Sequence, residues 1–110
     1  MRVYLIDGLR LNDYNKLEDY LDKHLESASI GGIYWLKLDQ EILTDAQKEH
    51  KDCHPHVFAL MLEETSLSSE FLVRITKKVQ CDCMDYATKE QRIWLMEQVD
   101  AIFEKLDIQF

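Results

Sequence analysis

Glycine and proline are nearly absent from this sequence, three Gly and one Pro in 110 residues, and their scarcity leaves no room for flexible linkers or low-complexity tracts. Long hydrophobic runs are missing as well: no stretch approaches the ~18 apolar residues of a membrane-spanning helix. The opening run Val3-Tyr4-Leu5-Ile6 is too short for a signal-peptide core and meets Asp7 before any cleavage-like pattern. A cytoplasmic location and no membrane partner are therefore the expectations. Basic charge is in deficit, 13 Lys and Arg against 21 Asp and Glu for a formal net charge of −8. A nucleic-acid backbone would be repelled by such a chain. The common catalytic signatures are also missing: there is no glycine-rich phosphate loop, GxSxG, HExxH or EF-hand-like DxDxDG. The sequence thus leans away from an enzyme.

What is present is a globular composition, 46% hydrophobic, in a chain long enough to bury a core as a single domain over residues 1–110. Alternating apolar residues predict a strand over 2–7. Asn12 is a plausible N-cap for a helix over 13–27, whose Tyr14, Leu17, Leu21 and Leu25 share a face. Branched and aromatic residues predict a second strand over 33–38. Thr44-Asp45-Ala46-Gln47 matches a capping box and opens a short helix over 45–52, which Pro55 stops. Strands follow over 57–64 and 71–79, with Thr65-Ser66-Leu67-Ser68-Ser69 as the hairpin loop between them. A second capping box, Thr88-Lys89-Glu90-Gln91, starts a helix over 89–106 with the stripe Leu95, Val99, Ile102, Phe103 and Leu106. The expected fold is a two-layer α+β domain, with two long helices on one face of a mainly antiparallel four-stranded sheet. Its order is β-α-β-(short α)-β-β-α.

Helix, three strands and helix in that order is similar to the topology of double-stranded RNA-binding domains. Those domains aim lysines at phosphates near the start of the last helix. Here Asp82, Asp85 and Glu90 bracket that region, so no nucleic-acid partner is expected.

All three cysteines and three of the four histidines fall in two short segments: His50, Cys53, His54 and His56 lie within seven residues, and Cys81 and Cys83 form a CxC. A hairpin centred on Leu67 sets Cys53 opposite Cys81. Zinc takes four thiolate or imidazole ligands at tetrahedral positions, usually supplied as closely spaced pairs. Cys53-x-x-His56 has that spacing, and Cys81-x-Cys83 can ligate from extended chain, where alternate residues share a face. The candidate metal ligands are Cys53, His56, Cys81 and Cys83, with His50 and His54 as alternates. The odd number of cysteines argues against a secreted disulfide framework.

Strand parity supports a different reading. Val57, Ala59, Met61, Phe71, Val73, Ile75 and Val79 are all odd, as are the three cysteines, so the thiols would simply extend a buried apolar face. A cysteine nucleophile or redox thiol is a third reading, weakened by the absence of CxxC at a helix N-terminus. The leading expectation is a non-enzymatic module that binds a protein or ligand and carries no cofactor. Phe58, Leu60 and Leu62 on the even face would be left bare to receive a partner or a second copy.

Overall fold

Short-range pattern sets most of the elements. The structure, a computed structural model, describes residues 2–77, 81 and 83–109. Strand β1 (Val3–Asp7) ends at Gly8, whose φ of +75° is a left-handed value that glycine adopts at no steric cost. Helix α1 (Leu11–His24) begins two residues earlier than the sequence suggests. Arg10 is its N-cap, and the Asp13 carboxylate accepts from the Arg10 backbone N–H at 3.1 Å and from its Nε at 3.3 Å. The Arg10 backbone N–H, followed by the guanidinium and Lys16, holds the Asp13 carboxyl below its usual range. Asn12 therefore lies inside the first turn rather than at its cap.

After β2 (Glu26–Ser27) and β3 (Ile33–Lys37) comes α2 (Asp45–Glu49), flanked by single 3-10 turns at Gln40–Ile42 and Lys51–Cys53. Strands β4 (His56–Glu63), β5 (Ser66–Glu70), β6 (Leu72–Ile75) and β7 (Asp85–Tyr86) precede helix α3 (Lys89–Lys105). The result is a small α+β domain that has, among the described residues, an antiparallel sheet of seven strands, not four, and three helices. Five strands run in the order β1-β5-β4-β3-β2; β6 pairs with β4, and β7 with β6.

The extra strands come from the segment read as a hairpin loop. The turn is only Glu64-Thr65, and Ser66–Glu70 is a strand held on both sides, with Leu67 opposite Leu62 of β4 and Ile6 of β1. Serine favours turns in isolation, but pairing on two sides overrides that preference. Pairing then shifts at Phe71. From Leu60 to Val57, β4 advances three residues while its partners advance five, from Ser69 to Arg74, which is a bulge. The fourth expected strand accordingly ends at Ile75; Val79 lies outside the described residues.

The bulge goes with a reversal of the expected faces. Phe58 and Leu60 are 0% exposed and Leu62 is buried, in one cluster with Leu17 and Leu21 of α1 and Leu95, Val99 and Phe103 of α3. The even face of β4 is the core face. Met61, at 42% exposure, opens to the other side. Tyr4 donates to Asp100 at 2.5 Å and Tyr34 to Asp22 at 2.6 Å, pinning α3 and α1 to the sheet. Among the described residues, no helix is long and apolar enough to cross a membrane.

Candidate metal centre

Two irregular segments at one end of the sheet carry the cluster. Downstream of α2 the chain tightens into the 3-10 turn Lys51–Cys53, closed by Cys53 N–H to His50 C=O at 3.0 Å and His54 N–H to Lys51 C=O at 3.3 Å. In 3-10 geometry residues three apart eclipse one another, so His50 and Cys53 come to lie on one side of the turn. The second segment connects β6 to β7, where Met84 N–H bonds Cys81 C=O at 3.0 Å. Cys53 ends a 3-10 turn and Cys83 lies in a turn, so strand parity does not assign these two, although both are buried beside Ile75.

Four ligand atoms converge: His50 Nδ1 lies 3.0 Å from Cys81 Sγ, Cys81 Sγ lies 3.5 Å from Cys53 Sγ, and the ligand atoms of His50, Cys53, Cys81 and Cys83 all fall within 4.8 Å of one another. A zinc ion with three sulfurs and one nitrogen requires edges of about 3.6–3.8 Å. The observed group therefore reaches that tetrahedron with shifts of no more than about 1 Å, within the range of side-chain rotation. This group can hold a metal ion. Cys53 and Cys83 are 1% and 2% exposed, while His50 and Cys81 are half-buried and form the outer edge. Ile75 and Met84 supply apolar surroundings.

The other two histidines occupy different positions. His56 opens β4 immediately after Pro55 and is buried, with Nε2 3.4 Å from Cys83 Sγ. Burial, followed by the nearby His54 and His50, pushes its pKa down. Its Nδ1 is buried and has no hydrogen-bond partner among the described residues. His54 bonds the Gln47 carbonyl at 2.9 Å through Nε2 and meets His56 edge-on.

Charge is divided unevenly among the sulfurs. The Cys83 backbone N–H, then the Cys83 thiol, Cys53 and His50, hold the Cys81 pKa down to about 6, against an ordinary 9.0. Burial, then the neighbouring Cys81 and Cys53, push Cys83 up. Cys81 rather than Cys83 is thus the sulfur whose surroundings favour negative charge.

A polar bracket ties the cluster to the rest of the fold. Both capping boxes form as the sequence predicts, and their glutamines meet: Gln91 Nε2 donates to Gln47 Oε1 at 3.0 Å and to Ile42 C=O at 2.9 Å. Gln47 in turn donates to the Cys83 carbonyl at 3.5 Å. Each glutamine therefore caps its own helix and bridges to another segment while almost fully buried. Replacing Gln91 with Ala is expected to lower stability by about 1–3 kcal/mol, because buried partners lose their bonds. The urea midpoint reads this, and an unchanged midpoint would show the bracket to be idle.

A separate concavity of about 570 Å³ is lined by Arg2, Phe71, Tyr86, Ala87 and Arg92, and shares no residue with the cluster. No protein-family model, curated protein or solved structure matches this chain.

Proposed function

We propose that this protein binds one zinc ion through His50, Cys53, Cys81 and Cys83, and that the ion is a structural staple. The observation that carries the reading is the convergence of four ligand atoms within 4.8 Å, drawn from segments whose cysteines are 28 positions apart in the chain. Three sulfurs and one imidazole are a soft set that favours zinc over calcium or magnesium. Four protein ligands fill the tetrahedron, whereas a catalytic zinc keeps a position open for water or substrate. The reading is therefore non-enzymatic: the ion fastens the β6–β7 connection to the turn before β4. His56 supports the ligand shell through Cys83, as a hydrogen-bonded neighbour does in many metal sites.

The assignment predicts that the two histidines separate in a titration. His50→Ala removes a ligand and is expected to weaken zinc binding far more than His56→Ala, which leaves one zinc per chain and weakens affinity by about 10–100-fold. Competition with a chromophoric chelator measures both, and the reverse ranking would transfer the ligand role to His56.

A second reading concerns the sheet face away from the helices. Val3, Leu5 and Met61 are 46%, 53% and 42% exposed there, beside Ile33, Trp35 and Ala59. We propose a second copy of the chain as the occupant of this face, in place of the covered Phe58, Leu60 and Leu62. Sedimentation velocity is expected to show a dimer that Leu5→Asp converts to monomer; a monomeric wild-type protein at high concentration would remove this reading.

A further inference from the structure

Resting on the zinc reading, we propose that Cys81 and Cys53 form the site's oxidation point, where a peroxide converts the two sulfurs to a disulfide and expels the metal. The geometry separates the three cysteines. Cys81 is half-buried and lies at the outer edge, whereas Cys53 and Cys83 are 1% and 2% exposed. A small oxidant in solvent meets Cys81 first. The Cys53 sulfur already sits 3.5 Å from it, so closing to the disulfide length of about 2.05 Å needs side-chain rotation of both residues rather than a change of fold. Cys83 is the poorer partner for Cys81, since a bridge across a single intervening residue strains the backbone, and its sulfur is already engaged by His56 at 3.4 Å.

The chemistry balances with hydrogen peroxide as the oxidant. The Cys81 sulfur attacks one peroxide oxygen and the O–O bond breaks; hydroxide departs and takes a proton to become water, leaving a sulfenic acid on Cys81. The Cys53 sulfur then attacks the Cys81 sulfur. The S–S bond forms as the S–O bond breaks, and the second hydroxide leaves as water. Peroxide gains two electrons and the sulfur pair loses two. With both sulfurs held as thiolates, the two protons come from solvent, and the zinc departs as the hydrated dication. His50 and Cys83 are then the two remaining ligands, too few for a closed site.

The disulfide closes the same loop that the metal had closed. The oxidised, metal-free protein is therefore expected to melt higher than the reduced, metal-free protein, although both lack zinc.

The test treats zinc-loaded, anaerobically purified protein with near-stoichiometric hydrogen peroxide, following free zinc with a chromophoric chelator and the intact mass. The expected result is loss of the full zinc equivalent together with loss of two hydrogens. Trypsin then yields peptide 52–74 linked to peptide 79–89, with fragmentation placing the bond at Cys53 and Cys81. In a second measurement on the metal-free protein, Cys81→Ser abolishes disulfide formation by peroxide while Cys83→Ser retains it. Zinc retained under oxidation, a Cys81–Cys83 bond, or higher oxides of Cys81 without cross-linking would each overturn the oxidation site and leave the zinc reading standing. A protein that carries no zinc yet forms the Cys53–Cys81 bond would support the oxidation site and overturn the zinc reading.

Discussion

Stripping the metal from this protein with a strong chelator is expected to lower the melting temperature by ~15 °C or more. A ligand that binds only the folded state and is present at a thousand times its dissociation constant stabilises by about 4 kcal/mol. In a domain of this size each kcal/mol moves the midpoint by about 4 °C or more. The effect is large because His50, Cys53, Cys81 and Cys83 converge only when α2, the turn before β4 and the β6–β7 connection are all in place. The unfolded chain has no such arrangement, so the binding energy is folding energy.

Acidity modulates the same effect. In the metal-free fold Cys81 is held near 6, below its ordinary 9.0. A depressed acid contributes stability that is full above its ordinary value and is lost as pH falls toward the folded value. Below about 6 protons also compete with the metal for this sulfur. The gap between loaded and stripped melting temperatures should therefore narrow on acidification. A gap that widens below pH 6 would contradict the thiolate ligand set.

Phe58→Ala is expected to cost about 3–5 kcal/mol, the usual range for deleting a fully buried aromatic side chain. Its ring is 0% exposed and stacks with Trp94 of α3 at a centroid distance of 6.3 Å. Met61→Ala, three positions along β4 on the opposite face, is expected to stay within about 0.5 kcal/mol in dilute, monomeric protein. The pair of midpoints in denaturant decides which face of β4 is the core. Equal costs would mean that both faces are covered.

The contrast between Phe58 and Met61 marks where the sequence stops being legible. From Val57 to Leu62, β4 is apolar at every position, so its alternation does not say which side the helices cover. At the far end of the strand Glu63, which is odd and exposed, is a polar hint. By contrast, both capping boxes are legible because their signal is local: Thr44 with Gln47, and Thr88 with Gln91, need only one turn of chain. Strand β5 is the opposite case. Ser66, Ser68 and Ser69 carry a turn-like composition, and only the neighbouring β1 and β4 make them a strand.

The cluster divides in the same way. Crowding of cysteine and histidine is visible in the sequence, and the meeting of Cys53 with Cys81 follows from chain reversal between them, even though the reversal lies at Glu64-Thr65 rather than at Leu67. Which histidine joins the sulfurs depends on backbone form. His50-x-x-Cys53 and Cys53-x-x-His56 have identical spacing, and it is the 3-10 turn ending at Cys53 that brings His50 beside the sulfurs. His56, on the far side of Pro55, enters β4 and lies buried with Nε2 3.4 Å from Cys83 Sγ.

The most direct test of the central claim is X-ray absorption at the zinc edge, combined with elemental analysis, on protein purified without a metal column. The expected result is one zinc per chain in a shell of three sulfurs at about 2.3 Å and one nitrogen at about 2.0–2.1 Å. Zinc well below one equivalent, or a shell dominated by oxygen and nitrogen, would contradict it.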